Sequence, residues 1–400
     1  MPDVDFVTRE LTASELAGFS LEAASGSDGF LFTRGSSGRA GRGVLMRADL
    51  SVADELCRMI AASSSDPLLA RRITLFSAVG FDGSTGDVVL AHTTWGVDPD
   101  GTTWIVHPRH EPPLEMEGTR PAATDGASIT VRPGVAIPTY LAAVAAARDA
   151  VGNGRLTKAV IARDVIVESS RALDLAALML RMKRAFASSY RYHFDGLIGA
   201  SPELLVERDG DVVRSHPLAG TTSRTGDPVT DAALAADLLA SAKNQLEHRV
   251  VIDMVHDTLL PWWSYLDWQP EPEVIAVANV QHLGTRVEGK LSNPPPHVLD
   301  LVKALVPTPA LGGHPRDAAL ALIAEVEGVD RGPYGGAVGW MSASGEGMFA
   351  VTIRCAIFDH TRTRAQLFAG GGIVAASDPL AELDETRAKF QAMLSLLVRP

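Results

Sequence analysis

Short apolar runs such as RRITLFSAVGF and DVVLAHTTWGV recur through the first part of the chain, to about residue 125, separated by Gly, Ser and Asp. That rhythm predicts strands joined by hairpin turns. The stretch RPAATDGASITVRPGVAIP at 120–138 interrupts it with Gly and Pro and predicts a connection into a second part. There the period changes. TYLAAVAAARDAV carries Ala and Leu at helical spacing and meets its stop near Gly152 and Gly154. KAVIARDVIV, opening at Lys158, predicts a strand, and LDLAALMLRMKRAFA a helix. YHFDGLIGA and ELLVERDGDVVRSH predict strands again, the second folding back at Asp209-Gly210, and PLAGTTSRTGDP predicts a loop.

From Asp231 to about Leu260 the apolar spacing predicts one long helix, stopped by Pro261. On it Asn244, Glu247, His248 and Val251 share a face. VIAVANVQHLGTRVEG, AVGWMSA, GMFAVTIRCAIFD and RAQLFAGGG predict further strands, which puts Arg354 on one of them. The last helix begins at Asp378-Pro379 as cap and first position. It sets Glu382 and Glu385 on one face with Lys389 a turn beyond, a spacing at which like charges repel mildly unless a cation relieves them. Strand groups separated by long helices predict an α+β fold.

Composition narrows the function classes. A formal charge of -12 disfavours nucleic acid and anionic membrane surfaces as partners, so neither is expected. Two cysteines, Cys57 and Cys355, are too few for a disulfide framework and fit a reducing compartment. The acidic start MPDVDFVTRELT lacks the basic and then apolar character of a signal peptide. A soluble cytoplasmic protein is expected. His193, His216, His248 and His256 have no metal-ligand spacing with a Cys or Glu, which disfavours zinc chemistry.

The last third carries PTPALGG at 307–313, YGGAVGW at 334–340, VTIRCA at 351–356, FAGGGIV at 368–374 and LAELDETRAKF at 380–390, in that order. Upstream stand SPELLVERDGDVVRSHPLAGT at 201–221 and SAKNQLEH at 241–248. Together these resemble the chorismate-binding enzymes, the family of isochorismate, salicylate, anthranilate and aminodeoxychorismate synthases. The likeness covers roughly residues 139–400. It implies a single two-lobed α+β domain of the anthranilate synthase component I type, with antiparallel sheets, helices outside and the site between the sheets. Residues 1–138 would form the N-terminal lobe and 139–400 the chorismate-binding region.

The resemblance also implies roles. Glu247 and Glu385, with Glu382 nearby, match carboxylates that hold Mg²⁺ against the ring carboxylate of chorismate; Asn244 stands where relatives often carry an acid. Arg354, helped by Tyr334, matches the residue that binds the enolpyruvyl carboxylate, and guanidinium suits that bidentate grip. Gly220, Thr221 and Gly372 match positions lining the substrate, and Lys389 a substrate-side cation. Ala310 and Ile353 look like the pocket of isochorismate synthases, whereas Tyr334 is shared with the lyases of the family. Lys158 matches the base that activates water, and Glu203 the acid that protonates the departing hydroxyl if burial raises its pKa. His282 matches a family histidine near the ring and is a third catalytic candidate.

The ammonia-using members carry Gln at the position of Lys158, so water is the implied nucleophile and no glutamine amidotransferase subunit is expected. Ala219 offers no amine for the covalent route of aminodeoxychorismate synthases. A Mg²⁺-dependent isochorismate synthase acting as a monomer on chorismate is therefore expected. Salicylate synthase is the alternative, and a non-catalytic chorismate-binding subunit a more distant one.

Overall fold

The structure is a computed structural model and describes residues 4–63, 66–116, 127–277 and 280–398. Among the described residues, nineteen strands join in one hydrogen-bonded sheet and three more form a second, and every pairing is antiparallel. Early and late parts of the chain share this sheet. Thr74–Val79 pairs with Ala337–Ser342, and Phe30–Arg34 with Tyr190–Phe194, so early strands are stitched to late ones. Helices lie outside. Tyr140, Val144, Ala319, Leu322 and Leu383, from three different helices, bury their apolar stripes against Ala159 and Ile161 of strand Lys158–Ser169.

That strand is buried along nearly its whole length, as its apolar sequence requires. It pairs with Arg364–Ile373 in one unbroken ladder from Glu168↔Arg364 to Ala159↔Ile373. The run Gly370-Gly371-Gly372 thus belongs to a strand rather than a tight turn, and Gly372 faces Val160, two residues from Lys158.

Four expectations are corrected. Residues 120–126 of the expected connection lie outside the described residues, and its later part is not loop: Ile129–Pro133 pairs with the far end of Lys158–Ser169. The first half of PLAGTTSRTGDP is strand, because Leu218–Ser223 pairs with Val280–Gly284 to build the small sheet; polar residues tolerated in a short strand hid it. The long helix from Asp231 is two helices, Pro228–Ala240 and Ala242–Leu259. Ser241 turns extended between them and caps the second by accepting from Asn244 N, a capping preference that outweighs continuous apolar spacing. Finally, Arg354 does not sit on a strand. It occupies the break between Gly347–Val351 and Cys355–Phe358.

Candidate active site

The strand pair, the helices Ala242–Leu259 and Pro379–Val398, and the small sheet converge on one cavity of about 130 Å³. Its lining includes Glu203, Gly220, Thr221, Glu247, His282, Ala310, Tyr334, Ile353, Arg354, Gly372, Glu382, Glu385 and Lys389, so residues from distant parts of the sequence meet as the motifs require. Lys158 is the exception. A larger cavity, about 1020 Å³, opens by the N-terminal strands beside Arg39, Arg72 and Arg208, and none of the expected site residues lines it.

On one wall, Arg354 is held at φ 53°, a left-handed backbone that costs a non-glycine residue about 1–2 kcal/mol. Its Nη2 donates to His282 Nε2 at 3.4 Å, and its Nη1 has no hydrogen-bond partner among the described residues. A buried guanidinium N–H left unpaired costs on the order of 1–3 kcal/mol. Strain and an open donor at one residue mark a group set in advance for an anion. Burial lowers the Arg354 pKa, with Tyr334 and Glu385 opposing. Tyr334, itself buried, stacks on Phe368 with ring centroids 5.1 Å apart, which fixes the wall beside the guanidinium.

His282 completes that wall. Its Nδ1 lies 3.1 Å from both the Gly220 carbonyl oxygen and Thr221 Oγ1. A carbonyl only accepts, so the ring proton belongs on Nδ1 and Nε2 is left to accept from Arg354. Burial, then the charges of Arg354 and Lys389, push the imidazole down to about 3, so it is neutral. The bulge in the strand at Gly220, φ 67°, is what turns its carbonyl toward the ring.

Glu203 is 3% exposed, and its Oε1 accepts only a long bond, 3.4 Å, from Leu218 N. Burial pushes its carboxyl up to about 8, against that bond and the charge of Lys158. A carboxylic acid that keeps its proton at neutral pH is a competent proton donor.

A second wall holds the carboxylates. Glu247 Oε1 accepts from Lys158 Nζ at 2.8 Å, and although burial opposes it, Lys158 holds the Glu247 pKa below its ordinary value. Glu385 Oε1 pairs with Lys389 Nζ at 2.6 Å, and Lys389 also donates to the Gly370 carbonyl. Glu382 Oε1 accepts from Ser377 Oγ, while burial raises its pKa.

The adjacent glycines make room for all three acids. A Cβ on Gly371 would stand 2.6 Å from Glu382 Oε2 and 3.9 Å from Glu385 Oε1, and one on Gly372 would stand 2.7 Å from Lys158 Cε and 3.0 Å from Glu247 Oε1, so Gly372 admits the ion pair as a whole. Three oxygen donors crowded over two glycines fit a hard divalent cation. As they stand, with each acid turned to its own partner, no three such groups among the described residues are arranged to chelate one.

Several contributors were not anticipated. Lys243 lines the cavity one helical turn before Glu247, a spacing visible in the sequence. Ser377, Glu327 and Arg331 gave no such signal. Arg331 donates to Glu327 and to the carbonyls of Val160 and Leu311, each at 2.8 Å or less, and Glu327 Oε1 accepts from Ala162 N. This buried pair takes the place of a ladder partner for the strand after Lys158 and pins the PTPALGG loop to it.

The sequence comparison decides the family. Residues 111–398 match the family model described as chorismate binding enzyme. The chain belongs to the chorismate-binding enzymes. Among relatives of this family member, MenF of Mycobacterium tuberculosis, named a candidate isochorismate synthase, is 44% identical over 283 residues, covering 67% of this chain and 76% of that one. The isochorismate synthase EntC of Escherichia coli K12 is 38% identical over 290 residues, covering 70% and 73%. The fold of this chorismate-binding enzyme is that of the menaquinone-specific isochorismate synthase MenF of Escherichia coli, with TM-score 0.86, 24% identity and coverage of 98% and 94%. Anthranilate synthase component I of Streptococcus pneumoniae shares it at TM-score 0.70, 22% identity and coverage of 98% and 92%. No helix among the described residues is long and apolar enough to cross a membrane.

Proposed function

We propose that this chain is an isochorismate synthase, an isomerase that adds water at C2 of chorismate as the C4 hydroxyl leaves and the ring double bond shifts. One observation carries the assignment of chemistry: Glu203, a carboxyl that keeps its proton up to about pH 8, shares a cavity with the open donor of Arg354. Arg354 grips the enolpyruvyl carboxylate and Tyr334 walls it in. Lys158 takes a proton from the attacking water, and Glu203 gives one to the C4 oxygen as the C–O bond breaks. His282, neutral and donating to Gly220, orients Arg354 rather than moving a proton. Enzymes of this family use a metal ion; here Mg²⁺ on Glu247 and Glu385, with Glu382, would neutralise the ring carboxylate and anchor it.

Ala219 lines the cavity, so the position offers no amine for a covalent route, and Lys158 in place of Gln supports water over ammonia. No amidotransferase subunit is then required. A cytoplasmic monomer, with residues 1–138 as one lobe and 139–400 as the chorismate-binding region, belongs to the same reading. Tyr334, shared with the lyases of the family, supports a second reading in which pyruvate is eliminated from isochorismate in the same cavity. Turnover of chorismate with Mg²⁺ in ¹⁸O-water tests the chemistry: the account expects one heavy oxygen at C2 of isochorismate. Product without label would mean that the hydroxyl migrates within the ring and that Lys158 activates no water.

A further inference from the structure

Lys158 is 4% exposed and does not line the cavity; among nearby residues of its strand it is Val160 that does. Its ammonium is spent on Glu247 at 2.8 Å, as that of Lys389 is on Glu385 at 2.6 Å. Two of the three acids assigned to the metal are thus occupied by cations of the chain itself. A carboxylate oxygen that accepts from an ammonium at this distance cannot also ligate a divalent ion along the same lone pair. The Lys158–Glu247 pair is mostly buried, so its attraction is not screened away as a surface pair's would be, whereas the Glu385 side chain, 37% exposed, leaves its pair with Lys389 weaker.

We propose that Lys158 and Lys389 are internal competitors of the metal, so that its arrival on Glu247 and the release of Lys158 toward the substrate are a single exchange. The proposal rests on the reading that Glu247, Glu382 and Glu385 take the metal, and adds what holds them before it arrives. Without the metal Lys158 lies locked against Glu247 and over Gly372 at the edge of the cavity, so substrate that enters first meets no free base. With the metal on Glu247, the lysine loses the carboxylate that holds it back, and its Nζ, once its own proton has passed to solvent, is free to take one from the attacking water. Coupling of this kind is reciprocal: if Lys158 weakens metal binding, the metal weakens the hold on Lys158 by the same factor.

The test is Mn²⁺ binding followed by calorimetry without substrate, so that turnover plays no part. Lys158→Met should bind Mn²⁺ about tenfold tighter than the unaltered protein, the worth of one partly buried ion pair that no longer has to be broken. The double variant Lys158→Met/Glu247→Gln should lose that gain, and Glu385→Gln should bind weakly or not at all. If Lys158→Met does not fold, Lys389→Met carries the same test at Glu385, with tightening again expected. Unchanged or weaker binding in the lysine variants, with binding still lost in Glu385→Gln, would overturn the competition and leave the metal site standing. Equal binding by the unaltered protein and Glu385→Gln, or no binding by either, would remove the metal site itself and the competition with it.

Discussion

The two walls of the cavity are prepared differently. Around Arg354 everything is fixed in advance: a left-handed backbone, a neutral imidazole bonded to Gly220, a stacked Tyr334 and one guanidinium N–H left open. On the other wall, Glu247, Glu382 and Glu385 are satisfied by Lys158, Ser377 and Lys389. The first wall gains a partner when an anion arrives. The second must first give partners up. On the proposed reading, recognition of the carboxylate is built into the fold, whereas the metal and the base become available only through exchange, so substitutions on the two walls should fail in different ways.

The largest effect is expected where chemistry depends on that exchange. Lys158→Ala should leave chorismate binding nearly intact and lower kcat roughly 10² to 10⁴ fold, the usual worth of a general base, and Glu203→Gln should behave likewise. A raised KM with kcat unchanged in Lys158→Ala would move Lys158 from the reacting centre to the binding set. On the prepared wall the sign pattern reverses. Arg354→Met should raise KM by roughly 10² fold, because a buried charged partner of the substrate carboxylate is lost. A smaller shift follows for His282→Asn, which removes the acceptor for Nη2: KM rises by about tenfold or less with kcat nearly kept, the loss of one hydrogen bond to a charged group. A large fall in kcat with KM unchanged would instead make His282 a participant in proton transfer.

The pH profile separates the walls further. Glu203 must hold its proton to act as acid, and its pKa, raised by burial to about 8, keeps the acid form below that pH and removes it above. kcat/KM should therefore fall above pH 8 with a log slope of −1, and Glu203→Gln should lack that limb. The same shift bears on folding. The carboxyl is raised from 4.5, so the stability it contributes is present below 4.5 and is lost as pH rises through about 8. His282, at about 3, adds no limb near neutrality.

Much of the cavity was legible in ordered motifs, because each carries residues whose types have few substitutes: an Arg for a carboxylate, paired acids on a helix, glycines where carboxylates crowd the backbone. Position along an element was less legible. Arg354 read as a strand residue because its neighbours alternate, and only the fold shows the break that gives it a positive φ. Ser241 interrupts a sequence whose apolar spacing runs on, since one capping hydroxyl decides locally what periodicity cannot. The Glu327–Arg331 pair was invisible, as its partners Val160, Ala162 and Leu311 are brought near only by the folded chain. Likewise, the sequence pointed to Lys158 as a base and Glu247 as a metal ligand but not to the bond between them.

The account stands most directly on product identity. Purified protein, chorismate and Mg²⁺ near neutral pH, followed by chromatography and mass analysis, should give isochorismate in reversible balance with chorismate and little salicylate. With the small Ala310 and aliphatic Ile353 lining the cavity with Arg354, the enolpyruvyl group is expected on the proposed reading to be held short of the conformation that elimination needs. Stoichiometric salicylate and pyruvate, with no added lyase, would contradict the account and assign the chain to the salicylate synthases.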